Sequence, residues 1–374
     1  MPGGPFPLGG PVTKKDVVDR EDFLSTLRLR LSHGHSIMLA GPRRTGKTSL
    51  AFEILRRCGE DGFYTAFVDT SKLADKRELA IALIDACLRN RTGMRKTTAI
   101  LREGLQKIAG TAKLVVKLHD LEIGLGFPDN ERDDNSLFNY ALELPERLAQ
   151  TDKKRMVVVF DEFQEALVCG GPGIYKIMRS CFQTQENVAY LFLGSKESLM
   201  KAIFSSQKQA FYRFATALPI PPIPDAAWID YITTRYLESG IRTNRDPVEE
   251  IITLTGGHPQ DTMFVCAETH YALLEAGQET LSLEFVRAGY DRALSILSPL
   301  FEQILLETRN KAQAYTVLKR LARNEYIYSG REPSVQIKRA VDFLLETGLI
   351  EKRDRGSYRF LEPMLRDYIL KSSP

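Results

Sequence analysis

Five short apolar runs punctuate the first 220 residues: Ser36 to Ala40, Phe63 to Asp69, Met156 to Phe160, Val188 to Leu193 and Ala217 to Ile220. Each is too short for a buried helix, so each reads as a strand covered on both faces. Between them apolar residues recur at helical spacing, as in Leu50, Ala51, Ile54 and Leu55, a helix that Gly59 is placed to end. Strands alternating with helices predict an α/β fold, a doubly wound parallel sheet. More chain than a minimal sheet needs separates the second run from the third. There Leu79 to Leu88 and Ala99 to Ile108 read as helices, Lys113 to Lys117 and Glu122 to Leu125 as a hairpin turning at His119 and Asp120, and the charged run Asn130 to Asp134 as a solvated loop.

Pro219, Pro221, Pro222 and Pro224 then break the chain and close the first domain. The stretch to about Leu297 has only helical patterning and suits a lid. From Ser298 the pattern changes again. Ala314 to Ala322 reads as a helix, and Val335, Ile337, Val341, Leu344 and Leu345 read as one face of another. Gly348 to Phe360 reads as strand, basic turn, strand, which together make a winged helix-turn-helix. The expected division is a flexible leader 1–15, a sheet domain 16–222, a lid 223–297 and a winged-helix domain 298–374.

Composition narrows the function classes. The 374 residues suffice for two or three domains with cores of their own. No apolar run approaches the roughly 20 residues that cross a bilayer, and the Gly- and Pro-rich start MPGGPFPLGGP reads as a flexible leader, not a signal sequence. Five scattered cysteines form no CxxC pair, which argues against a zinc site or disulfide framework and for a reducing cytoplasm. The net charge of +3 is weak, but residues 298–374 hold 14 Lys/Arg against 10 Asp/Glu, a local +4 that leaves about −1 for the rest. Any attraction for polyanions is concentrated there.

The chemistry begins at LAGPRRTGKTSL, residues 39 to 50. A Gly, four residues, then Gly-Lys-Thr is the spacing of a phosphate-binding loop, and here it leaves a predicted strand and opens a predicted helix, as such a loop must. Gly41 and Gly46 let backbone approach phosphates, Lys47 reaches their terminal oxygens, and the Thr48 hydroxyl suits Mg²⁺; Pro42, Arg43, Arg44, Thr45 and Ser49 complete the loop. A second carboxylate is required at the end of a neighbouring strand, and MVVVFDE, 156 to 162, supplies Asp161 for Mg²⁺ and Glu162 to polarise an attacking water. That pair moves the reading from nucleotide binding to hydrolysis. A guanine-type Thr-Lys-x-Asp run, 13 to 16, lies upstream of the loop, so adenine is the expected base.

Taken together, GPRRTGKTSL, VVVFDEFQEAL and the entry segment Val17-Val18-Asp19-Arg20-Glu21 resemble the AAA+ superfamily and, more narrowly, the archaeal-type ATPases of the STAND signalling class. The resemblance covers most of the chain and is weakest between Arg89 and Lys154. It implies ATP and Mg²⁺ as cofactors, with Val18 packing near adenine. It implies a polar sensor at Ser195, after the fourth strand; the plain alternative is that Ser195 caps the helix starting near Glu197. Arg213 resembles an arginine directed at a neighbour's γ-phosphate, which requires a homo-oligomer; the alternative is an ordinary salt-bridge partner. Thr255-Gly-Gly-His-Pro259 resembles the lid turn that lies against adenine, with His258 either reporting nucleotide state or standing on the surface, and Pro259 starting a helix. Arg43 and Arg44 match the family pattern, touching nucleotide or a neighbouring subunit.

The resemblance also implies the C-terminal winged helix. Lys338 and Arg339 are expected to face outward from its recognition helix, with Lys352, Arg353 and Arg355 in the wing, able to meet DNA phosphates or a protein client. Two functions from different classes follow: an ATP-hydrolysing molecular switch that couples nucleotide state to lid and winged helix, and a DNA-binding AAA+ ATPase of the replication-initiator or transposition-regulator type.

Overall fold

The computed structural model describes residues 4–12, 14–89, 113–117, 122–126, 131–354 and 357–372. The chain forms two compact units: one is Glu21–Gly41 with Lys47–Ile220, the other Met1–Arg20, Pro42–Gly46 and Pro221–Pro374.

The strands are β1 (Ile37–Ala40), β2 (Tyr64–Asp69), β3 (Lys113–Lys117), β4 (Glu122–Gly126), β5 (Met156–Asp161), β6 (Val188–Gly194), β7 (Thr216–Ala217), β8 (Ile350–Asp354) and β9 (Ser357–Phe360). In the first unit a five-stranded sheet runs β2-β5-β6-β1-β7, every pair parallel. This is the predicted doubly wound α/β architecture. β5 and β6 are buried throughout, which explains why their sequences are continuous apolar runs. Alternate residues Met156, Val158 and Phe160 join one core with Tyr190 and Phe192, and Phe160 stacks on Phe192 at 6.0 Å.

Four local expectations are corrected. The helix opened by the phosphate loop, Lys47–Glu60, passes through Gly59. It ends instead at Gly62 (φ +85°), where Gly62 N–H donates to Gly59 and Phe63 N–H to Cys58, a Schellman closure that needs glycine at that left-handed position. The fifth strand is shorter than 217–220: only Thr216–Ala217 pair with β1, and the last ladder hydrogen bond runs from Leu218 N–H to the Met38 carbonyl, just before the proline-rich stretch. The charged run 130–134 is no loop from Glu131 on, since a helix spans Glu131–Asp152 and Asp134 near its start takes an ion pair from Arg77 at 3.2 Å. Val335 is exposed while Ile337, Val341 and Leu344 are buried, because residues two apart on a helix point to different faces. The expected hairpin is β3–β4, antiparallel; its turn at His119 and Asp120 and the helix 99–108 lie outside the described residues.

The second unit is built of helices Asp225–Glu238, Arg245–Thr255, Pro259–Glu275, Leu283–Arg309, Ala314–Ala322, Ser334–Glu346 and Pro363–Ser372, with the antiparallel pair β8–β9. Helix Leu283–Arg309 runs unbroken through positions 297 and 298. One core gathers Trp228, Ile232, Tyr236, Phe301, Leu318 and Leu344. Among the described residues no helix is long and apolar enough to cross a membrane.

Candidate active site

Parallel register brings the C-terminal ends of β1, β5 and β6 level: Ala40 pairs with Gly194, and Phe160 with Phe192. Gly41 N–H donates to the Gly194 carbonyl at 3.2 Å, so β1 leaves its ladder where the phosphate loop begins. Lys47 is 5% exposed and its Nζ donates to the Gly41 carbonyl at 2.7 Å, folding the ammonium back over the loop's start. Its neighbour Thr48 donates from Oγ1 to Asp161 Oδ2 at 2.8 Å. A hydroxyl and a carboxylate at that separation are the hard oxygen donors that Mg²⁺ takes, so these two residues fit that ion. Among the described residues no cluster of three or more His, Cys, Asp or Glu could hold a metal.

Glu162 is set by the residue after it. Phe163 is fully buried, 4.6 Å centroid to centroid from Phe192, so the chain must dive into the core at once. Glu162 absorbs the turn in a left-handed conformation, φ 50° and ψ 43°, that non-glycine residues seldom adopt. Its carbonyl and that of Asp161 both accept from Thr70 Oγ1, at 2.6 and 2.8 Å. Its side chain is gripped as well: Oε2 accepts from Ser195 Oγ at 2.6 Å, Ser195 N–H at 3.0 Å and Gln164 Nε2 at 2.5 Å. None of these hydrogen bonds falls on Oε1.

The two adjacent carboxyls are driven apart in acidity. Burial pushes Asp161 above the ordinary range, with the Glu162 and Asp69 charges adding to it and the Thr48 hydrogen bond opposing. Burial also works to raise Glu162, but the hydrogen bonds from Ser195 and Gln164 and the nearby Lys47 charge outweigh it and hold the carboxyl below its usual value. One fold therefore keeps Glu162 ionised in a largely buried position.

Ser195 does not cap the following helix: that helix, Glu197–Ser205, begins from Lys196 with no side-chain cap, and the Ser195 hydroxyl is spent on Glu162. Gly194 before it is a forced choice, because a Cβ there would sit 2.3 Å from Met200 Cγ and 2.6 Å from Gln164 Oε1. Arg213 is exposed, held at φ 55°, with its guanidinium 5.5 Å from the Tyr212 ring and no ion pair among the described residues. The ordinary salt bridge is thus not seen.

Ser49 lies in helix Lys47–Glu60, and the remaining candidates belong to the second unit. In the loop, Gly46 takes φ +89° and Thr45 Oγ1 donates to the Pro42 carbonyl at 2.9 Å. Val18 is buried in the core that holds Trp228, and Arg20 donates to the Pro221 carbonyl at 2.5 Å, fixing the entry segment. His258 is buried, not on the surface, and Pro259 opens helix Pro259–Glu275 as expected. Trp228 Nε1 donates to the Gly257 carbonyl at 3.1 Å, tying the entry segment's core to the Gly-Gly-His-Pro turn. Lys338, Arg339 and Lys352 are exposed; the side chain of Arg353 and all of Arg355 lie outside the described residues.

Sequence reasoning missed Thr70, Asp69 and Glu362. The first two end the strand beside β5, where Asp69 pairs with Asp161, and a carboxylate closing β2 was the available signal. Glu362 gave none.

The sheet order and the geometry around Thr48 and Asp161 are those of the P-loop fold of AAA+ ATPases. A family model, the ATPase domain predominantly from Archaea, matches residues 17–263, more than half of the chain, and the chain belongs to that family. Among solved structures, the Walker-type ATPase of Pyrococcus abyssi matches with a TM-score of 0.70 at 18% identity, over 98% of this chain and 99% of that one. The ORC2 protein of Aeropyrum pernix, solved as ADPNP–ADP complexes, matches with a TM-score of 0.56 at 14% identity, over 94% and 93%. At these identities the likeness is one of fold. No curated protein matches the chain significantly.

Proposed function

We propose that this chain is an ATP-hydrolysing molecular switch in which Glu162 accepts the proton of the attacking water. The observation that carries the reading is the convergence of three hydrogen bonds on Glu162 Oε2, which fixes the carboxylate and leaves Oε1 to take a proton. Lys47 neutralises phosphate charge, while Thr48 and Asp161 would hold Mg²⁺, which when bound supplies further positive charge to the phosphates. Water oxygen attacks the γ-phosphorus as the bond to the ADP oxygen breaks. The water proton passes to Glu162, whose depressed acidity range keeps it ready as a base at neutral pH. Ser195, bonded to the same carboxylate, is our candidate sensor of the γ-phosphate, and His258 and Val18 are our candidates for contact with adenine. The complexes with ADPNP and ADP of the Aeropyrum protein lend support to nucleotide as the ligand.

The switch output is the second unit, whose C-terminal helices and β8–β9 pair we read as a winged helix. Phosphate release with and without Mg²⁺, on the parent and on Lys47→Ala, tests the core of this proposal. Mg²⁺-dependent release lost in the variant is expected, and release that survives Lys47→Ala would sink it.

A second reading, DNA binding through the winged helix, is favoured by one observation: Lys338 and Arg339 stand exposed on helix Ser334–Glu346. It requires a duplex affinity that falls with salt and is removed by Lys338→Glu with Arg339→Glu. Absence of binding at low salt removes this reading.

A further inference from the structure

Arg44 of the phosphate loop is engaged by a residue 318 positions along the chain, and both belong to the same compact unit. Its Nη1 donates to both carboxylate oxygens of Glu362, at 3.0 Å to Oε1 and 2.8 Å to Oε2. The pair is sheltered, with the Arg44 side chain 26% exposed and that of Glu362 16%. Arg44 holds a left-handed backbone, φ 66°, to present its guanidinium in this way.

Glu362 is positioned by the packing around it. It immediately precedes helix Pro363–Ser372, whose Met364 and Leu365 are buried. Pro363 lies so close to the Gly-Gly-His-Pro turn that a Cβ on Gly256 would come within 3.0 Å of its Cγ. Tyr290 donates to Asp367 at 2.7 Å and anchors the same helix. Close by, His258 Nδ1 stands 3.4 Å from Asp261 Oδ1, and His258 Nε2 and Asp261 Oδ2 are buried with no hydrogen-bond partner among the described residues. Burial pushes the Glu362 carboxyl up, with the Asp261 charge adding to it, and Arg44 is the main group opposing that rise.

Carboxylate and phosphate are the two anions a guanidinium recognises best, through the same N–H groups. A phosphate approaching Arg44 while Glu362 is in place meets a like charge. We propose that Glu362 is a built-in phosphate mimic: it latches the C-terminal helix to the phosphate loop, and the phosphates of a nucleoside triphosphate displace it from Arg44. Once displaced, a carboxylate so close to Asp261 cannot stay buried without its cation, so Glu362 and helix Pro363–Ser372 move outward together. By linkage, whatever loosens the latch tightens nucleotide binding by the same factor. This inference rests on the nucleotide reading given above and names its regulation.

The test uses the full chain with Mg²⁺ and a fluorescent ATP analogue, comparing the parent with Glu362→Gln and Glu362→Asp, and follows hydrogen exchange across 363–372. Glu362→Gln is expected to bind nucleotide about tenfold more tightly, with Glu362→Asp between the two. Exchange should rise on adding nucleotide to the parent, and should already be raised in Glu362→Gln without it. A folded Glu362→Gln with unchanged affinity and unchanged exchange overturns the latch alone. Should neither variant fold, the parent decides: no rise in exchange at 363–372 at saturating nucleotide overturns the latch. A parent that binds no nucleotide overturns the underlying reading and the latch with it.

Discussion

Ser195 and Glu162 are joined twice, by the serine hydroxyl at 2.6 Å and its N–H at 3.0 Å, both on Oε2. A hydrogen bond to a charged acceptor is worth about 1.5–3 kcal/mol, so Ser195 is a main reason the carboxyl stays below its usual range. Ser195→Ala keeps the N–H and loses the hydroxyl. The acid limb of the ATPase pH profile is expected to move to higher pH, with the largest loss of rate at the acid end. Stability follows the same sign. A depressed carboxyl contributes stability above its unfolded range that is lost as pH falls through the folded one, so parent and variant should differ in Tm at neutral pH and converge in strong acid. An unshifted acid limb contradicts this.

Gly194→Ala would push a methyl group against Met200 and Gln164. Met200 can yield, but Gln164 holds Glu162, so its displacement reaches the Glu162 carboxylate. Overpacking of this kind costs about 1–3 kcal/mol, and ATPase should fall by a larger factor than stability alone explains. Thermal melts paired with kcat measurements separate the two effects.

Asp161 has the opposite sign. Its carboxyl is raised, so its ionised form costs stability at pH values above that raised range when no cation is present. Asp161→Asn should therefore raise the Tm of the metal-free protein by about 2–4 °C while abolishing the gain in nucleotide affinity that Mg²⁺ gives the parent. A lower metal-free Tm would contradict the assignment.

The legible parts of this site are local in sequence. Gly46, Lys47 and Thr48 are spaced by the loop itself, and Asp161 and Glu162 end a run of apolar residues that can only be a buried strand. What escaped is what distant segments bring. Thr70 reaches the Asp161 carbonyl from the end of β2, and Glu362 reaches Arg44 from far along the chain, with no local pattern to announce either. The sequence leaves open whether His258 stands on the surface, because burial of a Gly-Gly-His-Pro turn depends on packing by Trp228 and Pro363, which no short window contains. Gly59 and Gly62 compete to end one helix, and closure at Phe63 decided it.

Arg213 is exposed and makes no ion pair among the described residues; we propose that it acts on a neighbouring copy. The specific ATPase activity of the parent should rise with protein concentration, and that of Arg213→Ala should not. Equal activity for the two at all concentrations removes the role.

In the proposed reaction Glu162 takes the proton of the attacking water. Single-turnover hydrolysis of prebound ATP by Glu162→Gln tests it most directly, since glutamine keeps the shape and cannot act as the base. ATP binding close to that of the parent is expected, with a hydrolysis rate lower by about 10²-fold or more. Binding preserved together with a single-turnover rate equal to the parent's would contradict it.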